Sequence, residues 1–269
     1  MTQQQSFIPQ RKRGKVYPPF EELSKLYFGE PKTGKTSLAS QDPNGFFVAT
    51  EPGHDFVETG VVNVRRWAPD ASGADRRPDF KTLVQQLWDA KAAGQLPYKT
   101  AYIDIIDNLY DMCLFHECQE KRGIDYPPEN DYGKTWSAIK NEFSDEIRKL
   151  MEVVNVNFIT HCASEKIEVK DPKGMVKEVN RLMRSFRGKK AQFLDGIINC
   201  MGYTYRDAFG NFVVTFQGAN TLDTGDRTNI LQSLGPIALP PEQGYQTLCN
   251  LYAQRAQEMG ITIQSKHAQ

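Results

Sequence analysis

The chain has 269 residues, 39% hydrophobic and 25% charged, with 33 Lys and Arg against 33 Asp and Glu. It is long enough for one large α/β domain with appendages or for two small ones, and its formal neutrality excludes a whole-molecule field, so any polyanion must be met by a local patch. Five cysteines with no C-x-x-C pair exclude a disulfide scaffold and point to a reduced, cytoplasmic protein, while the lack of a long apolar run predicts no membrane partner.

Residues 1–22 read as a basic extended arm, with Arg11, Lys12, Arg13 and Lys15 available to phosphates or to a neighbouring subunit and Pro9, Pro18 and Pro19 opposing a helix. A solvated tail is the plain alternative. Leu26-Tyr27-Phe28 then leads into Gly29-Glu30-Pro31-Lys32-Thr33-Gly34-Lys35-Thr36, followed by Ser37-Leu38. Strand, glycine-bounded turn and helix start in that order are the setting of a phosphate-binding loop. The two glycines let the backbone curl so that its N–H groups point inward as an anion nest. Residues Gly29 to Ser37 are therefore the nucleotide-binding segment, with Lys35 reaching the outer phosphates and the Thr36 hydroxyl ligating Mg²⁺.

Gly45 to Thr50 reads as a buried strand ending at Glu51, before the loop signal Pro52-Gly53. If that strand lies beside the one carrying the phosphate loop, Glu51 can orient a water against the terminal phosphate; a strand-end acid can equally be solvated. A short strand at 61–64, a loop at 68–79 rich in Pro, Asp, Gly and Arg, and an amphipathic helix through Phe80, Leu83, Val84, Leu87 and Trp88 follow. Thr100 to Ile103 is an apolar run capped by Asp104, a carboxylate placed to hold the metal's water shell. Asp107 is its competitor. His116-Glu117-Cys118, near Cys113 in a helical stretch, matches no zinc spacing.

Trp136, Ile139, Phe143, Ile147, Leu150 and Val154 recur at helical steps and predict one long helix packed on the sheet. Asn157 to Thr160 reads as another buried strand, ending at His161 beside the aspartate strand; the histidine is either structural or a nucleotide contact. Between 163 and 190, Lys166, Lys170, Lys173, Lys177, Arg181, Arg184, Arg187, Lys189 and Lys190 face Glu165, Glu168, Asp171 and Glu178. A hairpin around Asp171 to Gly174 within a mobile basic stretch is expected. Lys170, Lys173, Arg184, Arg187, Lys189 and Lys190 are its candidate DNA contacts, and a solvated surface loop is the alternative. Strands at 196–205 and 212–216 around the turn 207–211 predict a hairpin that extends the sheet. Arg227 is the fixed cation of the polar loop 223–227, and Tyr245, Leu248, Leu251 and Tyr252 mark a terminal helix. These readings divide the chain into the arm (1–22), a core (23–235) and a C-terminal helix and tail (236–269).

In this order the parts resemble a RecA-like P-loop ATPase of the compact kind found in phage recombination modules, the single-strand-annealing and recombinase-like proteins. The likeness spans about residues 23 to 230. It implies an α/β core with a mostly parallel central sheet and nucleotide at the carboxyl ends of its strands, with ATP and Mg²⁺ as cofactors. It further implies that Glu51, in Thr50-Glu51-Pro52-Gly53-His54-Asp55, activates water, that Asp104 is associated with the metal, and that His161 senses the terminal phosphate. The 163–190 stretch takes the place of a mobile loop that binds single-stranded DNA, and Arg227 that of a motif reaching a neighbouring subunit's nucleotide in a ring or filament. The implied function is ATP-dependent binding of single-stranded DNA for annealing or homologous recombination, with a single-strand-binding protein as a further partner. A helicase or packaging motor and a nucleotide-gated assembly module are the alternatives. Two departures from the family are Lys32, where many loops have glycine, and Ile105, where a hydroxyl residue often follows the aspartate.

Overall fold

The structure is a computed structural model and describes residues 14–170 and 174–266. Its first elements are β1 (Val16–Tyr17), β2 (Lys25–Gly29), α1 (Lys35–Ala39), β3 (Gly45–Ala49), β4 (Gly60–Asn63), α2 (Phe80–Ala92), β5 (Thr100–Asp104) and α3 (Ile106–Phe115). There follow α4 (Lys134–Val153), β6 (Asn155–Lys170), β7 (Val176–Arg184), α5 (Gln192–Ile197), β8 (Cys200–Arg206) and β9 (Phe212–Thr215). The chain closes with β10 (Gly225–Asp226), β11 (Ile237–Leu239), α6 (Gly244–Glu258) and β12 (Thr262–Ile263).

Every residue of β2, β3 and β5 is buried, as expected of strands covered on both faces, and their runs are apolar rather than alternating. The main sheet runs β11-β9-β8-β2-β6-β5-β3-β4, with β10 beside β8 and β7 beside β6. All pairings from β8 through to β4 are parallel, and β9 and β11 add an antiparallel edge. This is the α/β architecture expected, a mostly parallel sheet flanked by helices and extended by the β8–β9 hairpin.

The strand order corrects one expectation. β6 and β5 both lie between β2 and β3, so Glu51 does not end a strand beside the loop strand. It is β6, ending its core portion at His161, that pairs with β2, and His161 stands directly opposite Gly29.

Successive residues of β2 feed opposite layers. Leu26 and Phe28 join Phe46, Ile103, Phe158, Phe80 and Phe143 on the face covered by α2, α3 and α4. Tyr27 joins Phe216, Phe20, Leu248 and Tyr252 on the other face, under α6. Trp67 anchors the first layer, stacked on Phe143 at 5.5 Å between ring centres. On α4, Ile139, Phe143, Ile147 and Leu150 are buried as the spacing predicts, whereas Trp136 is 37% exposed and Val154 lies past the helix end.

Segments expected as appendages are built into the fold. β1 pairs in parallel with β12, and Phe20 is buried against Tyr245 and Tyr252, so the stretch from residue 14 to 22 is docked rather than a free arm. Arg11, Lys12 and Arg13 lie outside the described residues, and Lys15 is exposed. β11 belongs to the sheet, so the tail assigned from residue 236 onward begins inside the core. The stretch from 163 onward is not a loose loop either. β6 runs on without interruption and pairs antiparallel with β7 from Cys162–Arg184 out to Lys170–Val176. Among the described residues, no helix is long and apolar enough to cross a membrane.

Candidate nucleotide-binding site

β2 ends at Gly29, the chain curls through residues 30–34, and α1 starts at Lys35. Glycine is needed at both ends of the curl for a steric reason. A Cβ on Gly29 would sit 2.3 Å from the Thr204 carbonyl oxygen, and one on Gly34, where φ is 87°, would meet the Phe212 ring at 2.6 Å. Lys32 also takes a left-handed conformation, at φ 65°, which a side chain accepts only at a cost of about 1 kcal/mol. α1 has only five residues, so the anion-binding capacity of the curl rests on its own amides.

Lys35 is buried, and its Nζ donates to the carbonyls of Gly29 and Glu30, both at 2.8 Å. Burial lowers its pKa, an effect opposed by the negative charges of Asp104 and Glu51. The Thr36 hydroxyl donates to Asp104 Oδ2 at 2.8 Å. Those two hard oxygen donors, brought together from α1 and the end of β5 near a lysine, form the set that Mg²⁺ prefers when it binds with phosphate and water. The curl whose space a Cβ would fill, together with this donor pair, fits a nucleoside triphosphate and its metal.

The segment after Asp104 is held from β3. Thr50 donates its N–H to the Asp104 carbonyl at 2.8 Å, its hydroxyl donates to the Ile105 carbonyl at 2.9 Å, and the Ile105 N–H donates back to that hydroxyl at 2.9 Å. The Asp104–Ile105 peptide is cis. Although β3 is remote from β2, Glu51 reaches the site: its carboxylate lies 3.8 Å from His161 Nε2. The Nδ1 of His161 is buried and has no hydrogen-bond partner among the described residues. Lys35, Thr36, Asp104, Glu51 and His161 are thus brought to one place at the carboxyl end of the sheet.

Arg227 is not among them. Its N–H donates to the Asn199 carbonyl, just before β8, and its guanidinium donates to the Asp195 and Gly196 carbonyls. This is the amino end of β8, opposite the end that flanks the loop.

Three features of the site were missed in the sequence. His54 is buried, with Nε2 3.1 Å from Asp104 Oδ2, and that hydrogen bond raises its pKa. The buried Thr160 hydroxyl bonds the Asp107 carboxylate and lies 2.7 Å from Ser185 Oγ, which in turn donates to Asp107 Oδ1 at 3.0 Å. Arg206 donates from Nε to the Lys32 carbonyl at 3.3 Å and lies 4.0 Å over the Phe212 ring, walling the curl on its β8–β9 side. The polar end Thr160-His161 and the position of Asp107 signalled the second feature. For His54 and Arg206 the signal is only a polar residue shortly after a strand end.

The cations of the β6–β7 hairpin and its sequel are less free than their number predicts. Arg184 is buried against the Asp195 carboxylate, which removes it from the exposed face expected of it. Arg187 pairs with Glu165 at 2.8 Å, and Lys190 lies over the rings of Phe186 and Tyr110. Lys170 and Lys189 are exposed, and Lys173 lies outside the described residues. His116, Glu117 and Glu142 bring one ligand atom each within 4.8 Å of one another. However, Lys121 and Arg122 hold Glu117, and Lys81 and Trp67 hold Glu142, so these carboxylates are already neutralised.

A family model described as an AAA domain matches residues 21–228. No curated protein matches the chain.

Proposed function

The chain belongs to the AAA domain family, and we propose that it is an Mg²⁺-dependent ATPase that couples nucleotide occupancy to single-stranded DNA. The observation that carries this reading is the continuity of β6. One unbroken strand passes beside Gly29, presents His161 to the site, and continues as the hairpin with β7. In this reading Gly29 to Ser37 wrap the phosphates, Lys35 turns from its carbonyls to the outer phosphates, and Thr36 and Asp104 hold the metal. The bound metal supplies charge neutralisation at the transferring phosphoryl group. Glu51 orients the attacking water, with His161 fixing its carboxylate.

The hairpin and the segment after it are read as the DNA-contacting element, through Lys170, Lys173, Arg187, Lys189 and Lys190, with Arg11, Lys12, Arg13 and Lys15 as further contacts. Arg227 points to assembly. Its place at the far end of β8 leaves it no part at its own chain's phosphates, so in this reading it acts on a neighbour's nucleotide in a ring or filament. Annealing or recombination in a phage-type module, beside a single-strand-binding protein, is the setting that the resemblance suggests.

The test is the ATPase rate with and without single-stranded DNA across a salt series. Stimulation that fades with salt is expected, because each phosphate contact releases counterions; indifference to DNA at low salt overturns the coupling.

A further inference from the structure

A cavity of about 570 Å³ opens at the carboxyl edge of the sheet, between the segment after β4 and the outer face of α3. It falls within the size range of sites for small ligands, and none of the phosphate-loop residues lines it. Its wall is chemically divided. Met112 and Phe115, the latter 49% exposed, give an apolar and aromatic lining from α3, Asn108 adds a carboxamide, and Arg65 lines the same cavity from the segment after β4.

Most of the charge in this wall is already matched. Arg66 is held by Asp75 and Glu120, Arg77 by Asp75, and His116 by Glu120. Arg65 differs: its guanidinium contacts the Asn63 side-chain oxygen at 3.4 Å, and it forms no ion pair among the described residues. Asp111, exposed on α3 and lining the same cavity, repels an anion from that side and leaves Arg65 as the place for a phosphate. A guanidinium and an aromatic ring lining one cavity are a pairing suited to a sugar phosphate carrying a flat base.

We propose that this cavity takes one nucleoside phosphate unit of a single strand, its phosphate at Arg65 and its base against Phe115 and Met112. The assignment rests on the single-strand reading given above and deepens it. It also provides a route to the catalytic centre. Thr50 lines the cavity, and its hydroxyl and N–H grip Asp104 and Ile105. An occupant therefore bears on the residue that carries the metal-holding carboxylate.

The test compares wild type with Arg65→Ala and Phe115→Ala. It measures binding of labelled oligothymidylate by fluorescence anisotropy, binding of thymidine monophosphate by tryptophan fluorescence, and ATP turnover with and without the oligonucleotide. Each variant is expected to weaken oligothymidylate binding by about tenfold and to abolish stimulation, while basal turnover stays at the wild-type rate and shows that the fold is intact. Wild-type DNA affinity in both variants overturns the cavity assignment while leaving the single-strand reading in place. Binding of the monophosphate alone, weakened by the same variants, supports the cavity as a free-nucleotide site and overturns the single-strand reading. Binding of neither probe by wild type overturns both.

Discussion

Thr36 and Asp104, 68 residues apart in sequence, share a hydrogen bond of 2.8 Å, and His54 approaches the same carboxylate oxygen at 3.1 Å. Asp104→Asn keeps an oxygen for the hydroxyl and removes the charge. Nucleotide binding is expected to persist but to lose its dependence on Mg²⁺, and turnover to fall by at least about 100-fold. Titration with a fluorescent nucleotide with and without Mg²⁺, beside phosphate release, checks this; undiminished turnover refutes the role of Asp104.

Glu51 and His161 face each other at 3.8 Å, both partly exposed. Glu51→Gln preserves shape and removes the proposed base. It is expected to bind ATP as wild type does while hydrolysing it roughly 10² to 10³ times more slowly. Single-turnover measurements separate the two effects, and a variant that weakens binding without slowing the chemical step contradicts the assignment.

The curl tolerates no side chain at Gly29, where a Cβ would lie 2.3 Å from the Thr204 carbonyl and 2.6 Å from its hydroxyl. Gly29→Ala must push β8 away from β2, at a cost of about 1–3 kcal/mol, and should lose affinity for inorganic triphosphate as well as ATP. Gly196→Ala serves as the control, since its added Cβ meets nothing within 4 Å beyond its chain neighbours and its own helix backbone. Equal melting temperatures for the two variants would argue against the tight fit.

Lys25 is fully buried at the start of β2, its Nζ donating to the carbonyls of Phe20 and Leu23 at 2.8 Å. Burial lowers its pKa to about 8. The unfolded chain, with a pKa near 10.5, therefore binds more protons than the native state between those values, and native stability must rise with pH across that window. Relative to Lys25→Met, wild type should gain about 2 kcal/mol between pH 7 and pH 10. The raised pKa values of buried Tyr27 and Tyr102 act in the opposite direction at higher pH, so the comparison of the two proteins isolates the lysine. Denaturant unfolding at several pH values checks the slope; a constant difference would mean that Lys25 stays charged in the native state.

The sequence makes local structure and strand-end chemistry legible and leaves adjacency hidden. Residues Leu26 to Thr36 announce strand, curl and helix because sterics and hydrogen bonding act within that stretch. Asp104 can be read in the same way, from an apolar run closed by a carboxylate. Strand order cannot, because apolar runs such as Gly45–Ala49 and Thr100–Asp104 are equally buried wherever they stand in the sheet, and Glu51, which reads as ending the strand next to the loop strand, stands three strands away. Charge counting failed for a related reason. Arg184 reads as one of nine cations in a basic stretch, and only the fold brings Asp195 to it. His54 and Thr160 depend on partners 50 and 53 residues away, contacts that no local pattern encodes.

The 16 residues of β6 also have a mechanical meaning. From His161 to Lys170 the strand projects about 30 Å at the usual rise per residue, stiffened along its length by β7. A tilt of about 5° where it leaves the sheet would sweep the far end through roughly 2–3 Å on that arm length. On the proposed function, a sub-ångström adjustment beside the phosphate loop would be magnified into a displacement comparable to a hydrogen-bond length, with the strand as a lever whose fulcrum lies beside Gly29.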